Sequence, residues 1–195
     1  MTKLALYFAP GSSSMAVHIA LHEVGAPFEA RPMSFYKHEM RTPAFRAINP
    51  AGKVPTLLVD GRPLTEVAAC LFYLAKRFPA AGLLPLNDLD ADAEAISWMS
   101  FLASTLHPAR RQGLEYARRC FALADRRLGQ QMWALQSYSV VDIHLFRLYW
   151  RFCNSLQPAV QEFPNLQRHY QHMLARPAVR KTCALEAAIG YELPG

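Results

Sequence analysis

Asn49-Pro50-Ala51-Gly52-Lys53-Val54-Pro55-Thr56-Leu57, followed after one short strand by Leu64-Thr65-Glu66-Val67-Ala68, is the stretch that decides the fold. Pro50 and Gly52 mark a turn. Val54 precedes a proline, which drives it toward an extended conformation. Pro55 has no N–H and suits the start or the edge of a strand. A cis Val54-Pro55 bond turns the chain sharply and leaves the N–H and C=O of Val54 for another partner. Two free backbone groups on an extended residue pair with an extended peptide, a strand addition in miniature. Glu66 then brings a carboxylate, buried by its context, to the start of a helix. The helix N-terminus offers N–H groups to an anion, and the carboxylate holds an ammonium. A short peptide with a zwitterionic end suits this pair.

Working outward, Lys3 to Phe8 reads as a strand, Ser13 to Val24 as a helix stopped by Gly25, and Phe28 to Met33 as a second strand. This β-α-β unit implies parallel neighbours. Residues 34–53 are irregular, with one helical turn around Pro43 to Ala47. Thr56 to Val59 and Arg62 to Leu64 are strands joined by Asp60-Gly61, a hairpin signal. Thr65 to Phe78 is a helix with Thr65 as its N-cap. The predicted order βαβαββα is that of a thioredoxin-like layer over residues 1–80. Residues 81–87 read as a linker, and 88–195 as an all-helical domain with helices over 88–118, 119–133, 139–153, 163–175 and 177–188. Ser139 with Asp142 three residues on is a capping-box pattern at the head of an apolar helix.

Composition narrows the function. With 52% hydrophobic and 18% charged residues, the chain has the material for a substantial core and disorder is not expected. The net charge of +6 is mild and spread along the chain, weak evidence for nucleic acid. Arg110-Arg111, Arg118-Arg119 and Arg126-Arg127 read as a solvated helix face, with a dimer contact or an anion site as the alternative, and carry no interleaved aromatic platform for nucleic acid. No signal peptide and no membrane-length apolar run is visible, and a soluble, cytoplasmic protein is expected. Cys70, Cys120, Cys153 and Cys183 form no CxxC pair. They read as buried free thiols, and no metal site is expected.

The Val-Pro turn, the Glu66 helix start, the Ser139–Asp142 cap and the helical second half together resemble the cytosolic glutathione S-transferase superfamily, over nearly the whole chain. Leu6-Tyr7-Phe8-Ala9-Pro10-Gly11-Ser12-Ser13-Ser14 and Thr105-Leu106-His107 are most similar to the bacterial beta class. The resemblance implies conjugation of the glutathione thiolate to small apolar electrophiles, a detoxification role, glutathione as co-substrate and a homodimer, with no membrane or nucleic-acid partner. The sequence departs from that pattern at several places, including a short segment between the fourth and fifth helices. Ser13 stands where that class has a cysteine, Val67 where the family has a serine, and Pro108 where a lysine often follows the histidine.

Carried over residue by residue, the resemblance implies a thiol site at Ser12 or Ser13, the latter favoured, with His107 as a further hydrogen-bonding group. A serine hydroxyl is too weak an acid to ionise here; its role is to donate to the thiolate at a helix N-terminus. Glutathione would be held by Val54 beside Pro55, by Glu66 and the Val67 N–H at the γ-glutamyl end, and by Lys37 or Lys53 at the glycyl carboxylate. Ser100 and Ser104 reach toward it in the beta class. Phe8, Met99, Tyr116, Phe146 and Trp150 are candidates for the electrophile pocket. The departures motivate a second reading, a non-catalytic binding protein of the same fold. A zeta-type glutathione-dependent isomerase is a third, although Ala16 lies where that class has an arginine.

Overall fold

The computed structural model describes residues 2–85, 87–159 and 161–193. In chain order the strands are β1 (Leu4–Phe8), β2 (Phe28–Pro32), β3 (Thr56–Val59) and β4 (Arg62–Thr65). The helices are α1 (Ser14–Glu23), α2 (Pro43–Ile48), α3 (Val67–Arg77), α4 (Leu89–Phe101), α5 (His107–Ala109), α6 (Leu114–Leu128), α7 (Val140–Leu156), α8 (Pro164–Leu174) and α9 (Pro177–Ile189). They form two compact units: residues 1–77 with 178–195, and residues 78–177.

The first unit is a four-stranded sheet in the order β2-β1-β3-β4. Strand β1 runs parallel to β2, with Leu4 opposite Phe28, and antiparallel to β3, with Leu4 opposite Val59. Asp60 (φ 50) and Gly61 (φ 81) close the β3–β4 hairpin in the left-handed region, as a two-residue turn between twisted strands requires. The expected βαβαββα layer is present. Helix α1 is buried at eight successive positions, Ser14 to Leu21, so no face of it meets water. One of these is His18, whose Nδ1 lies 2.8 Å from Glu186 Oε1.

Glu186 belongs to α9, and α9 belongs to this unit rather than to the helical half to which the sequence reading assigned it. The physical reason is its buried face. Val179, Thr182 and Glu186 recur at helical spacing, and the last of them answers a histidine and an N–H of the sheet layer. Removing one partner of such a buried pair strands the other, at a cost of roughly 3–5 kcal/mol.

The second unit differs from the expected helices at its start. Residues 88–118 are not one helix. A wide π-type turn, Leu102–Leu106, follows α4. Pro108 then supplies no N–H to the ladder. Gly113 breaks the chain at φ 101 before α6 begins. Helix α6 therefore spans the expected break at 118 and ends at Leu128, not at 133. Helix α7 is buried from Val140 to Phe152. Its capping box is formed, with Val141 N–H donating to Ser139 Oγ at 3.2 Å and Ser139 N–H to Asp142 Oδ2 at 2.9 Å. Asp142 also accepts from Ala134 N–H at 2.7 Å and lies 3.0 Å from His169 Nε2 on α8. One carboxylate thus ties the start of α7 to the preceding loop and to α8.

Candidate functional site

The strand directions bring four chain segments to one end of the sheet. Strands β1, β2 and β4 point there with their C-termini, and β3 with its N-terminus. Across the sheet order this end carries the Ser34–Lys37 turn after β2, the Ser12–Ser14 turn after β1, Val54 before β3, and Glu66 after β4. At about 4.8 Å per strand, the outer two segments are roughly 14 Å apart.

Asn49 builds the Val54 part. Its side chain is buried, donating to Lys53 C=O at 2.8 Å and Thr56 Oγ1 at 2.9 Å, and accepting from Ala51 N–H at 3.1 Å. Gly52 has φ +59, and an added Cβ would meet Met40 C=O at 2.8 Å, so only glycine fits. The Val54–Pro55 peptide is cis. No hydrogen bond reaches the Val54 N–H among the described residues. Its C=O is not free, as the sequence reading expected, because Ser13 Oγ donates to it at 3.2 Å. Val54, with Ala9, Met40 and Phe45, forms a small apolar cluster on which Tyr7, Met33 and Phe35 pack.

The two serines of the thiol site have different surroundings. Ser12 Oγ is buried, 2.6 Å from Ser14 Oγ, and accepts the Ser14 N–H at 3.2 Å. Ser14 is a part of the turn that the sequence reading missed. It is fully buried, accepts the Ala9 N–H and donates to the Ala9 C=O. Ser13 makes no capping bond at the head of α1, and its half-buried hydroxyl faces Val54. Glu186 clamps the same turn through Gly11 N–H at 2.7 Å.

Glu66 is exposed, a correction to the buried carboxylate expected from its context, because it stands outside the first turn of α3. It also replaces Thr65 at the position before the helix, since Thr65 still belongs to β4. Its φ of 66 is a left-handed conformation that costs a non-glycine residue of order 1–3 kcal/mol, and such residues concentrate at binding sites. The Val67 side chain is buried while its N–H lies at the helix start. Lys53 is exposed, and its C=O is held by Asn49 and Thr56. Lys37 is exposed, with its N–H on Ser34 Oγ at 3.1 Å.

The remaining candidates are less open than expected. Phe8 is buried against the His18 ring, centroids 4.7 Å apart, so it is a core residue and not a pocket wall. In the second unit Phe146 is fully buried and stacked on Tyr170 at 5.3 Å, a second correction of the same kind. Met99 and Trp150 are buried too, because α4 and α7 pack along these faces. Tyr116 is half-buried under the Arg119 guanidinium, 5.6 Å from its ring. Ser104 Oγ donates to the Ser100 C=O at 2.8 Å, and both serines are exposed. His107 is half-buried beside His144. Burial first, then the charges of His107 and Arg147, push the His144 imidazole down to about 3.

Burial pushes the Cys70 thiol up to about 12 and the Cys183 thiol to about 11. Among the described residues no cluster of three or more histidines, cysteines or carboxylates suits a metal ion, and no helix is long and apolar enough to cross a membrane.

The glutathione S-transferase N-terminal domain family matches residues 12–77, and the glutathione S-transferase C-terminal domain family residues 94–177. Glutathione S-transferase GstA of Escherichia coli O157:H7 is 30% identical, covering 94% of this chain and 98% of that one. A sphingomonad glutathione S-transferase solved in complex with glutathione superposes with a TM-score of 0.84 at 33% identity, covering 94% of this chain and 98% of that one. The maleylacetoacetate isomerase of Rhizobium meliloti is 35% identical over a shorter stretch, 53% of this chain and 48% of that protein. A bacterial beta-class glutathione S-transferase of Sphingomonas chungbukensis is among the similar solved structures, with a TM-score of 0.81 at 32% identity, covering 93% of this chain and 98% of that one. By its sequence over both domains and by its fold, the chain belongs to the glutathione S-transferase family.

Proposed function

We propose that the protein binds glutathione at the end of the sheet described above and conjugates its thiolate to small apolar electrophiles. The observation that carries this is the order of groups across the sheet: Lys37, Ser13, Val54, Glu66. It is the order in which extended glutathione presents a glycyl carboxylate, a thiol on the cysteinyl residue, and a γ-glutamyl ammonium and carboxylate. The span of roughly 14 Å suits a tripeptide, whose extended backbone covers about 10 Å before its terminal groups are added. Val54 pairs its N–H and C=O with the cysteinyl residue. Glu66 accepts the ammonium, and the Val67 N–H receives the γ-glutamyl carboxylate at the start of α3.

Chemistry then depends on the thiol. A free thiol near pKa 8.5 is only a few per cent ionised at neutral pH. The head of α1 favours a thiolate through its dipole, and Ser13 donates a hydrogen bond to it. When glutathione enters, the Ser13 hydroxyl turns from the Val54 C=O to the sulfur, and the carbonyl accepts the cysteinyl N–H. The thiolate attacks the electrophilic carbon, the new C–S bond forms, and a halide or another leaving group departs with its electron pair. Ser12 supports the turn through Ser14. By family resemblance Ser100 and Ser104 are assigned to glutathione, His107 to its thiol or glycyl end, and Met99, Tyr116 and Trp150 to the electrophile. A homodimer in the cytoplasm with a detoxification role is our expectation on the same ground.

Isothermal calorimetry with glutathione, followed by turnover of a dinitrohalobenzene, tests the proposal. Absence of heat at millimolar glutathione refutes it; binding without turnover leaves a non-catalytic binding protein. The match to maleylacetoacetate isomerase favours a cis–trans isomerase as the second reading. Against it, Ala16 is fully buried in α1, where the zeta-type arginine has no room. Turnover of maleylacetoacetate without net glutathione consumption would reverse the order of the two.

A further inference from the structure

The segment that follows α9 brings Glu192 onto the proposed ligand site. Helix α9 ends at Ile189, Gly190 follows with φ 104, and Tyr191 folds back so that its hydroxyl donates to the Cys183 C=O at 2.9 Å. The next residue, Glu192, reaches the turn after β2. Ser34 Oγ donates to Glu192 Oε1 at 2.6 Å, and Tyr36 N–H donates to Oε2 at 3.0 Å. The turn is braced for this. Ser34 N–H is taken by Glu39 Oε2 at 2.7 Å, Ser34 Oγ accepts the Lys37 N–H, and His38 N–H closes on the Phe35 C=O at 3.0 Å. Partial burial works against the Glu192 charge. Hydrogen bonds from Ser34, Tyr36 and Phe35 and the charge of Lys37 outweigh it, holding the carboxyl below its usual range. The turn borders Val54, since Met33 and Phe35 pack on the cluster that contains it.

A carboxylate held by a hydroxyl, backbone N–H groups and a lysine is what the free C-terminus of a peptide asks for. We propose that the Ser34–Lys37 turn is a carboxylate-binding loop and that Glu192 is its built-in occupant, displaced when the carboxylate end of a peptide ligand enters. This rests on the glutathione reading, in which Lys37 meets the glycyl carboxylate. The tail then sets affinity. A carboxylate already in place competes at very high local concentration, and the apparent dissociation constant rises by the reciprocal of the fraction of molecules in which the loop is open. Occupancy of most but not all molecules corresponds to about a three- to tenfold weakening. The same contact makes the site selective for what the ligand carries at that end, because a neutral end gains nothing from expelling the tail.

The test compares the full chain with Glu192→Gln and Glu192→Ala, titrated with glutathione and with its C-terminal glycinamide, which lacks that carboxylate. Glu192 lies in a partly exposed tail outside α9, so both variants are expected to fold, and circular dichroism checks it. The expected result is about three- to tenfold tighter binding of glutathione by both variants, with the glycinamide changed less than twofold. Equal affinities in all three proteins for glutathione overturn the proposal and leave the glutathione site standing. Weaker binding of both ligands by the variants also overturns it and makes Glu192 a buttress of the loop. Absence of binding in all three proteins removes the glutathione site together with the proposal.

Discussion

Replacing Ser13 by alanine separates the two roles that its hydroxyl combines. In the free protein the hydroxyl donates one neutral hydrogen bond, 3.2 Å long and half-buried, to the Val54 C=O. Such a bond contributes about 0.5–1.5 kcal/mol net, so Ser13→Ala should lower folding stability by no more than about 1.5 kcal/mol. In the glutathione complex the same hydroxyl faces a thiolate. A hydrogen bond to a charged group is worth about 1.5–3 kcal/mol, and partial exposure favours the lower end. At 1.36 kcal/mol per pH unit, that is about one unit in the pKa of the bound thiol. The sign is fixed: the hydroxyl stabilises the thiolate, so its removal raises the thiol pKa toward 8.5. The dipole of α1 remains, so recovery of the free value is incomplete. At pH 7, kcat/KM for the electrophile at saturating glutathione should fall several-fold, at most about eightfold, and the deficit should shrink as pH rises past the new midpoint. The assays are the pH profile of kcat/KM and an ultraviolet titration of thiolate in the complex. An unchanged midpoint in Ser13→Ala, or a shifted one in Ser12→Ala, refutes the assignment, since Ser12 is committed to Ser14.

Glu66→Gln should weaken glutathione about fivefold by calorimetry, since an exposed ion pair is worth about 1 kcal/mol at most; an unchanged dissociation constant removes Glu66 from the site. Asp142→Ala leaves the N–H groups of Ala134 and Ser139 without their acceptor. At roughly 1–3 kcal/mol for each stranded group, urea unfolding should report a loss of about 3 kcal/mol. His144 predicts an acid limit. Its folded pKa of about 3 lies below the unfolded value of about 6.5, so the unfolded chain binds the extra proton between these limits. Stability therefore falls as pH drops below 6.5, by about 1.4 kcal/mol per unit, and is unaffected above it. His144→Phe should lose about 2 kcal/mol less than the parent between pH 6.5 and 5; equal losses would contradict the buried neutral ring.

The β-strands and the hairpin were legible because they follow from local backbone chemistry. Asp60-Gly61 admits positive φ at both turn positions, and alternation with short apolar runs marks β1 and β3. The capping box was legible for the same reason, since Ser139 and Asp142 act across three residues. The helix break at Gly113 and the wide turn before Pro108 were misjudged. A single glycine or proline in an apolar helical pattern does not say whether tertiary packing carries the chain through it. The aromatic residues assigned to a pocket met the same difficulty. Phe8 and Phe146 carry the right chemistry, but whether a ring faces a cavity or the core is decided by what packs on it.

By itself the sequence determined the Asn49–Val67 segment: a turn marked by Pro50 and Gly52, a proline suited to the start of a strand, and a carboxylate at the start of a helix. Each is a constraint between neighbours in the chain. The tertiary structure alone decided that Ser13 and not Ser12 faces Val54, that α9 returns to the sheet layer, and that Glu186 and Glu192 touch the two turns flanking the site. These contacts join residues up to 175 positions apart. No local propensity encodes such pairings. They follow only once the burial of α1 leaves His18 and the Gly11 N–H needing a partner that water cannot supply.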